Sequence, residues 1–214
     1  LPRLDCGESG TTLRFFIPIA LAVAGGGVFT GCGRLMERPQ GPYFQLFDQK
    51  GIFYEQKDGV LTVRGNLTPG EYVLPGNVSS QFFTGLLFAL PLLDGVSAVV
   101  SSTEIESREY ITMTLEAMRQ AGVTVAEQPG RGRFAVLHAA YRPFEAAVGA
   151  DWSQAGVWYA ANFLGSRVDI RGLNPRSAQG DKVVTELYWQ LARPGKAEID
   201  VSACPDLLPP LTVM

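Results

Sequence analysis

The stretch Leu74-Pro75-Gly76-Asn77-Val78-Ser79-Ser80-Gln81-Phe82-Phe83-Thr84-Gly85-Leu86-Leu87 closes an apolar, strand-like run with Pro-Gly and then opens an apolar helical face. Small polar residues lie between the two. Such a turn gathers hydroxyls, an amide and unpaired backbone N–H groups at a helix N-terminus, which makes a ready anion site. The same order of residue types recurs at Asp5-Cys6-Gly7-Glu8-Ser9-Gly10-Thr11-Thr12-Leu13-Arg14 and at Val148-Gly149-Ala150-Asp151-Trp152-Ser153-Gln154-Ala155. The turn glycines Gly7, Gly76 and Gly149 stand 69 and 73 residues apart. A repeat of that length marks stacked supersecondary units.

The elements around each turn repeat as well. In the first round, a helix over residues 11–24 stops at Gly25-Gly26-Gly27, and a short strand over 28–31 leads to an Arg-rich turn at 33–39. A second helix covers 41–50, and strands over 53–56 and 60–64 are joined at Lys57-Asp58-Gly59, where Asp-Gly between alternating apolar runs signals a hairpin. The second round reads strand 71–74, helix 80–92, strand 97–101, helix 108–121, strand 123–127, a turn at 129–132 and strand 133–138. Helix 108–121 is expected to bury Ile111, Met113, Leu115, Met118 and Ala121. A third round opens at Phe144 with helix 153–163, strand 167–171, a polar turn at 173–180 and helix 181–191. Each unit thus reads βαβαββ, and alternating strands and helices with closing hairpins indicate mixed α/β sheets covered by helices.

Composition sets the outer bounds. The chain has 214 residues, enough for one large or two small domains, with 46% hydrophobic and 18% charged residues and a net charge of −3. The mild negative charge and the lack of any basic block argue against nucleic acid and membrane surfaces as partners. No apolar run approaches the roughly 18 residues of a membrane span, and the opening residues carry no secretory signal. Cys6, Cys32 and Cys204 are odd in number and lack metal-ligand spacing, so they read as reduced thiols of a cytoplasmic protein. The chain starts at a residue other than Met and stops within an apolar run, which suggests a piece of something longer.

This pattern resembles the enolpyruvyl transferases, whose two domains each contain three βαβαββ units. Within that group, several motifs are similar to the 5-enolpyruvylshikimate-3-phosphate synthase family: Glu8-Ser9-Gly10-Thr11-Thr12-Leu13-Arg14, Met36-Glu37-Arg38-Pro39, Pro75-Gly76-Asn77-Val78-Ser79-Ser80-Gln81-Phe82 and Ser107-Arg108-Glu109-Tyr110. Ser177-Ala178-Gln179-Gly180-Asp181 and Cys204-Pro205-Asp206 fit as well, and the resemblance runs over essentially the whole chain. It implies an α/β (α+β) fold, an incomplete inside-out α/β barrel of repeated βαβαββ units. Residues 1–143 would be the last two units of the N-terminal domain, and 144–214 the truncated first part of the second.

The chemistry implied is transfer of the enolpyruvyl group of phosphoenolpyruvate to the 5-hydroxyl of shikimate 3-phosphate, with release of phosphate, in aromatic amino-acid biosynthesis. Both substrates are multiply anionic, so the site needs cations and oriented donors. By the resemblance, Ser79, Ser80, Gln81, Ser107 and Tyr110 fall at the shikimate 3-phosphate site. Gly10, Arg38 and Gln81 fall at the phosphoenolpyruvate site: Gly10 allows close backbone approach and Arg38 offers a planar fork. Asp206 matches a carboxylate that engages the shikimate hydroxyls and helps remove the 5-hydroxyl proton. The resemblance implies no cofactor and no metal, a cytoplasmic location and a monomer when full length. It also implies a fragment inactive alone, since further cationic residues of the family's cleft lie outside this sequence.

Each residue also has a plainer reading. Ser79 and Ser80 suit a helix cap, Arg38 a solvated turn, Tyr110 a core position, Asp206 a turn, and Arg14 and His138 structural roles. Glu8 departs from the family, where Asn is common, and a carboxylate there repels an anion unless it is turned away or paired. Two other functions stay open. One is the sister transfer to UDP-N-acetylglucosamine, disfavoured because the Ser-Ser-Gln and Ser-Arg-Glu-Tyr motifs match the shikimate branch. The other is a noncatalytic anion-binding module on the same repeats.

Overall fold

A computed structural model describes residues 1–128, 130 and 132–214, so Pro129 and Arg131 of the expected 129–132 turn lie outside the described residues. The chain divides into two compact units, Leu1–Ile105 with Thr114–Pro143, and Glu106–Met113 with Phe144–Met214.

The first unit holds two four-stranded sheets of identical topology. Strands β1 (Arg3–Asp5), β2 (Gly26–Thr30), β3 (Phe53–Lys57) and β4 (Val60–Arg64) lie in the order β1-β2-β4-β3, with β1 parallel to β2 and the other pairs antiparallel. Strands β5 (Glu71–Leu74), β6 (Val96–Ser101), β7 (Val125–Gln128) and β8 (Arg133–Leu137) repeat this as β5-β6-β8-β7. Helices α1 (Gly10–Ala24) and α2 (Gly41–Lys50) belong to the first sheet, and α3 (Ser80–Ala89) and α4 (Arg108–Gln120) to the second. The first residues of α4 fall in the second unit. The first two rounds of the repeat therefore share one topology.

Strand alternation places the core. Leu61 and Val63 of β4, Tyr72 and Leu74 of β5, and Phe134 and Val136 of β8 point inward and are buried, as period-2 side chains on a half-covered sheet must be. Asp58 and Gly59 take left-handed backbone (φ 50° and 73°) and close the β3–β4 hairpin. Helices α1 and α3 pack directly together, and at Gly85 a Cβ would collide with the Tyr43 hydroxyl and the Arg14 carbonyl. In α4 the buried face is Ile111, Thr114 and Met118, continued by Ala121 just past its end, while Leu115 is half-buried and Met113 is exposed. The helical period favours Thr114 over Met113, and its hydroxyl shares a 2.7 Å hydrogen bond with Thr84.

The second unit is helical. Helices α5 (Trp152–Phe163), α6 (Val184–Leu191) and α7 (Leu208–Val213) surround a small core of Trp152, Val184, Leu187, Cys204, Leu207 and Leu211. The strand expected over 167–171 is not formed. A strand needs a ladder partner, and here the Asn162 amide captures the Val168 backbone instead, donating to its carbonyl at 2.9 Å and accepting from its N–H at 2.7 Å. The helix expected from 181 starts as a 3-10 turn at Gly180–Val183 before α6. Among the described residues no helix is long and apolar enough to cross a membrane.

Candidate functional site

The three strand–helix turns differ in what they leave open. At the first, Ser9 caps α1 by accepting from the Thr12 N–H at 3.0 Å. Gly10 follows as the first helical residue. A Cβ there would stand 2.9 Å from Arg38 Nη1 and 3.9 Å from Gln81 Oε1, so backbone, cation and amide converge on one point. Glu8 is turned away onto Gly33, where its Oε1 occupies the space a side chain would need.

At the second turn Ser79 caps α3, accepting from the Gln81 N–H at 3.3 Å, and Ser80 is buried in the first helical turn. The backbone amides expected to stay free here are partly used. Thr103 Oγ1 accepts from the N–H groups of Gly76 at 2.9 Å and Asn77 at 3.2 Å. Gln81 instead projects its side chain toward the first turn. Its Nε2 donates to Thr11 Oγ1 at 2.9 Å, and its Oε1 accepts from Arg14 Nη1 at 2.8 Å. Arg14 lies over the Phe82 ring at 4.7 Å and donates through Nη2 to the Pro39 carbonyl at 3.2 Å. Burial, and further the charge of Arg38, lowers the guanidinium from its ordinary value.

The third turn is not an anion site. Asp151 caps α5, accepting from Ser153 N–H at 2.8 Å and Gln154 N–H at 3.2 Å, and Gln179 Oε1 accepts from Trp152 N–H at 2.8 Å. With a carboxylate as the cap, the first amides of α5 are already occupied and an added anion is repelled.

The second unit has its own cluster. Its cavity of about 330 Å3 is lined by Glu109, Tyr110, Asp151, Ser153, Asp181 and Asp206, among others. The Tyr110 hydroxyl donates to Asp206 Oδ2 at 2.6 Å. Burial, and then that carboxylate, raises the Tyr110 phenol far above its ordinary value, so it stays a donor. Asp181 is buried and accepts from the Ser153 hydroxyl. Burial raises its carboxyl above the usual range, the Ser153 bond opposes this, and the charges of Asp206, Asp151 and Glu109 add to it. Ser107, just before α4, has φ 53°, a left-handed conformation costly for a residue with a Cβ.

The EPSP synthase model, described as 3-phosphoshikimate 1-carboxyvinyltransferase, matches residues 2–210. The chain belongs to the EPSP synthase family. It is 38% identical to the 3-phosphoshikimate 1-carboxyvinyltransferase of Clostridium beijerinckii, over 99% of this chain and 53% of that protein. It is 36% identical to the Clostridium kluyveri enzyme of the same name, over 100% of this chain and 54% of that protein. The chain thus spans about half the length of the curated relatives it matches. A solved EPSP synthase from Acinetobacter baumannii shares the fold, with a TM-score of 0.66 at 20% identity over 88% of this chain and 42% of that one.

In this EPSP synthase-family chain, the structure brings Gly10, Arg38 and Gln81 together in the first unit, and Tyr110 and Asp206 together in the second. Ser79 serves as a cap and Ser80 is buried. His138, read as structural, has its Nδ1 3.1 Å from the Leu93 carbonyl. Sequence reasoning passed over the Arg14–Gln81 bond, the capture of the Gly76 and Asn77 amides by Thr103, and the Glu109, Asp151 and Asp181 carboxylates beside Asp206. Only the last carried a local signal, since Asp151-Trp152-Ser153 has the spacing of an acidic helix cap.

Proposed function

We propose that the chain is part of an enzyme that moves the enolpyruvyl group of phosphoenolpyruvate onto the 5-hydroxyl of shikimate 3-phosphate and releases phosphate. The observation that carries this reading is the family match over residues 2–210. The chemistry of the two clusters supports it. The first unit combines the exposed Arg38 with the Gly10 backbone and the Gln81 amide, a set suited to an anionic donor substrate. The second unit lines its cavity with carboxylates, which repel phosphate but accept hydrogen bonds from ring hydroxyls.

In the transfer, a bond forms from the 5-oxygen to the enolpyruvyl carbon while that carbon's bond to the phosphate oxygen breaks. The hydroxyl proton must leave as this happens. Asp206, whose Oδ2 accepts from the Tyr110 hydroxyl, is the group we assign to engage the hydroxyls and help take that proton. Gly10, Arg38 and Gln81 hold phosphoenolpyruvate, and Ser79, Ser80, Gln81, Ser107 and Tyr110 hold shikimate 3-phosphate. The same reading makes residues 1–143 and 144–214 parts of two domains of a larger cytoplasmic enzyme, monomeric when complete.

Calorimetric titration of the chain with shikimate 3-phosphate, with UDP-N-acetylglucosamine as the parallel control, tests this. Saturable binding of shikimate 3-phosphate that is lost in Ser79→Ala/Gln81→Ala is expected. Binding of the nucleotide sugar alone would overturn the assignment in favour of the sister reaction.

A further inference from the structure

An Asn or Gln amide can present either its oxygen or its NH2 group to a ligand, and a flexible one presents both. For Gln81 the choice is made from behind. Arginine has donors only, so the 2.8 Å contact from Arg14 Nη1 requires the oxygen of Gln81 on that side. The NH2 group is then on the other side, where one N–H meets Thr11 Oγ1 at 2.9 Å. A hydroxyl alone would not decide the matter, because Thr11 accepts or donates equally well.

Arg14 is itself held from several directions. Its planar group rests on the Phe82 ring, its Nη2 reaches the Pro39 carbonyl, and its own backbone carbonyl accepts from Tyr43. Its Nε is buried and has no acceptor among the described residues. The outer nitrogens are thus committed while the inner one goes unsatisfied, which fits a side chain placed for its contacts at the tip.

We propose that Arg14 is a positioning residue that locks the Gln81 amide in one orientation, its oxygen toward Arg14 and the Gly10 side and its NH2 group toward Thr11, so that the anionic substrates meet an amide of fixed polarity. The identity of those substrates rests on the function proposed above; the lock itself does not. A freely turning amide would spend part of its time with its oxygen and NH2 group exchanged, and would then face Arg14 donor to donor. Arg14 acts through Gln81 and needs no contact with substrate.

The test reads the amide directly. In the 15N-labelled chain, the Gln81 side-chain NH2 pair is assigned by its disappearance in Gln81→Ala. A dispersed pair is expected in the wild type, one that moves to the position of solvent-exposed glutamine in Arg14→Met. Arg14→Lys keeps the charge but loses the fork, and should restore the pair only in part, which also covers the case in which Arg14→Met fails to fold. In parallel, shikimate 3-phosphate affinity should fall on the order of 10-fold in Arg14→Met, and Arg14→Met/Gln81→Ala should bind no worse than Gln81→Ala alone. An unmoved amide pair in a folded Arg14 variant would overturn the proposal, as would losses that multiply in the double variant. Silence of the wild-type chain toward shikimate 3-phosphate bears on the functional reading alone, and the amide pair still decides the role of Arg14.

Discussion

The Tyr43 hydroxyl donates to the backbone carbonyl of Arg14 at 2.9 Å. That carbonyl is the one whose helical partner would be the amide of residue 18, and residue 18 is proline. A side chain from α2 thus supplies the donor that α1 cannot. Tyr43 is fully buried, and burial raises its phenol well above the ordinary value, so the proton stays in place. The Phe82 carbonyl lies 3.1 Å from the same hydroxyl, which ties α3 into the junction. This junction supports the backbone from which both Arg14 and Gln81 project.

Removing the donor should therefore be costly. Tyr43→Phe is expected to lower stability by about 1–3 kcal/mol, the cost of leaving a buried carbonyl without a partner. The cost should shrink in a Pro18→Ala background, where the helix regains its own amide. Urea unfolding of the four variants gives the cycle; an equal cost in both backgrounds would break the link between Tyr43 and Pro18.

Ser107 stores strain beside the second cluster, because its left-handed backbone crowds a Cβ. Ser107→Gly relieves that crowding but enlarges the unfolded ensemble, so a net gain of about 0.5–1 kcal/mol is expected. If Ser107 also contacts the substrate phosphate, the same change weakens shikimate 3-phosphate binding. Thermal melting and calorimetry on one sample should move in opposite directions. Weakened binding with lowered stability would instead mean that the serine is structural.

Tyr110→Phe removes the phenol that holds Asp206 Oδ2. A hydrogen bond to a charged group contributes roughly 1.5–3 kcal/mol, so shikimate 3-phosphate affinity should fall about 10- to 100-fold if Asp206 must be held to meet the ring hydroxyls. Asp206 is exposed and Tyr110 half-buried, so the melting temperature should change less than the affinity. Asp206→Asn, which keeps the shape, separates loss of charge from loss of position.

Asp181 has a carboxyl raised by burial, so the native state holds its proton more tightly than the unfolded chain does. Where the native state binds more protons, stability falls as pH rises. Asp181 therefore costs stability as pH climbs from the ordinary Asp range, about 4, up through its raised value. Asp181→Asn still accepts from Ser153 and cannot ionise. Stability measured across that window should be flatter with pH in the variant; an unchanged slope would mean that Asp181 does not titrate there.

Much of the fold was legible in the sequence because it is written locally. Gly7 and Gly76 mark turns, Asp58-Gly59 marks a hairpin, and the alternation in Val60–Arg64 and Arg133–Leu137 marks half-buried strands. These signals depend on backbone sterics and on periods of a few residues, which any short window contains. The third round shows the limit of this. Its residues 167–171 have strand character, but a strand exists only when another strand pairs with it, and here Asn162 takes the backbone instead.

The amino-acid order by itself determined the spacing of the repeat, a cap at Ser79 or Ser80, and the choice of Gly10, Arg38, Gln81, Tyr110 and Asp206 as candidates. Tertiary structure alone decided what those side chains do. Arg14 meets Gln81 across 67 residues and Tyr110 meets Asp206 across 96. Thr103 takes the amides of Gly76 and Asn77, and Thr114 replaces Met113 on the buried face of α4. The physical reason is common to all of them. Hydrogen bonds and burial depend on distance in space, and residues far apart in the chain become neighbours only once the sheets and helices have packed.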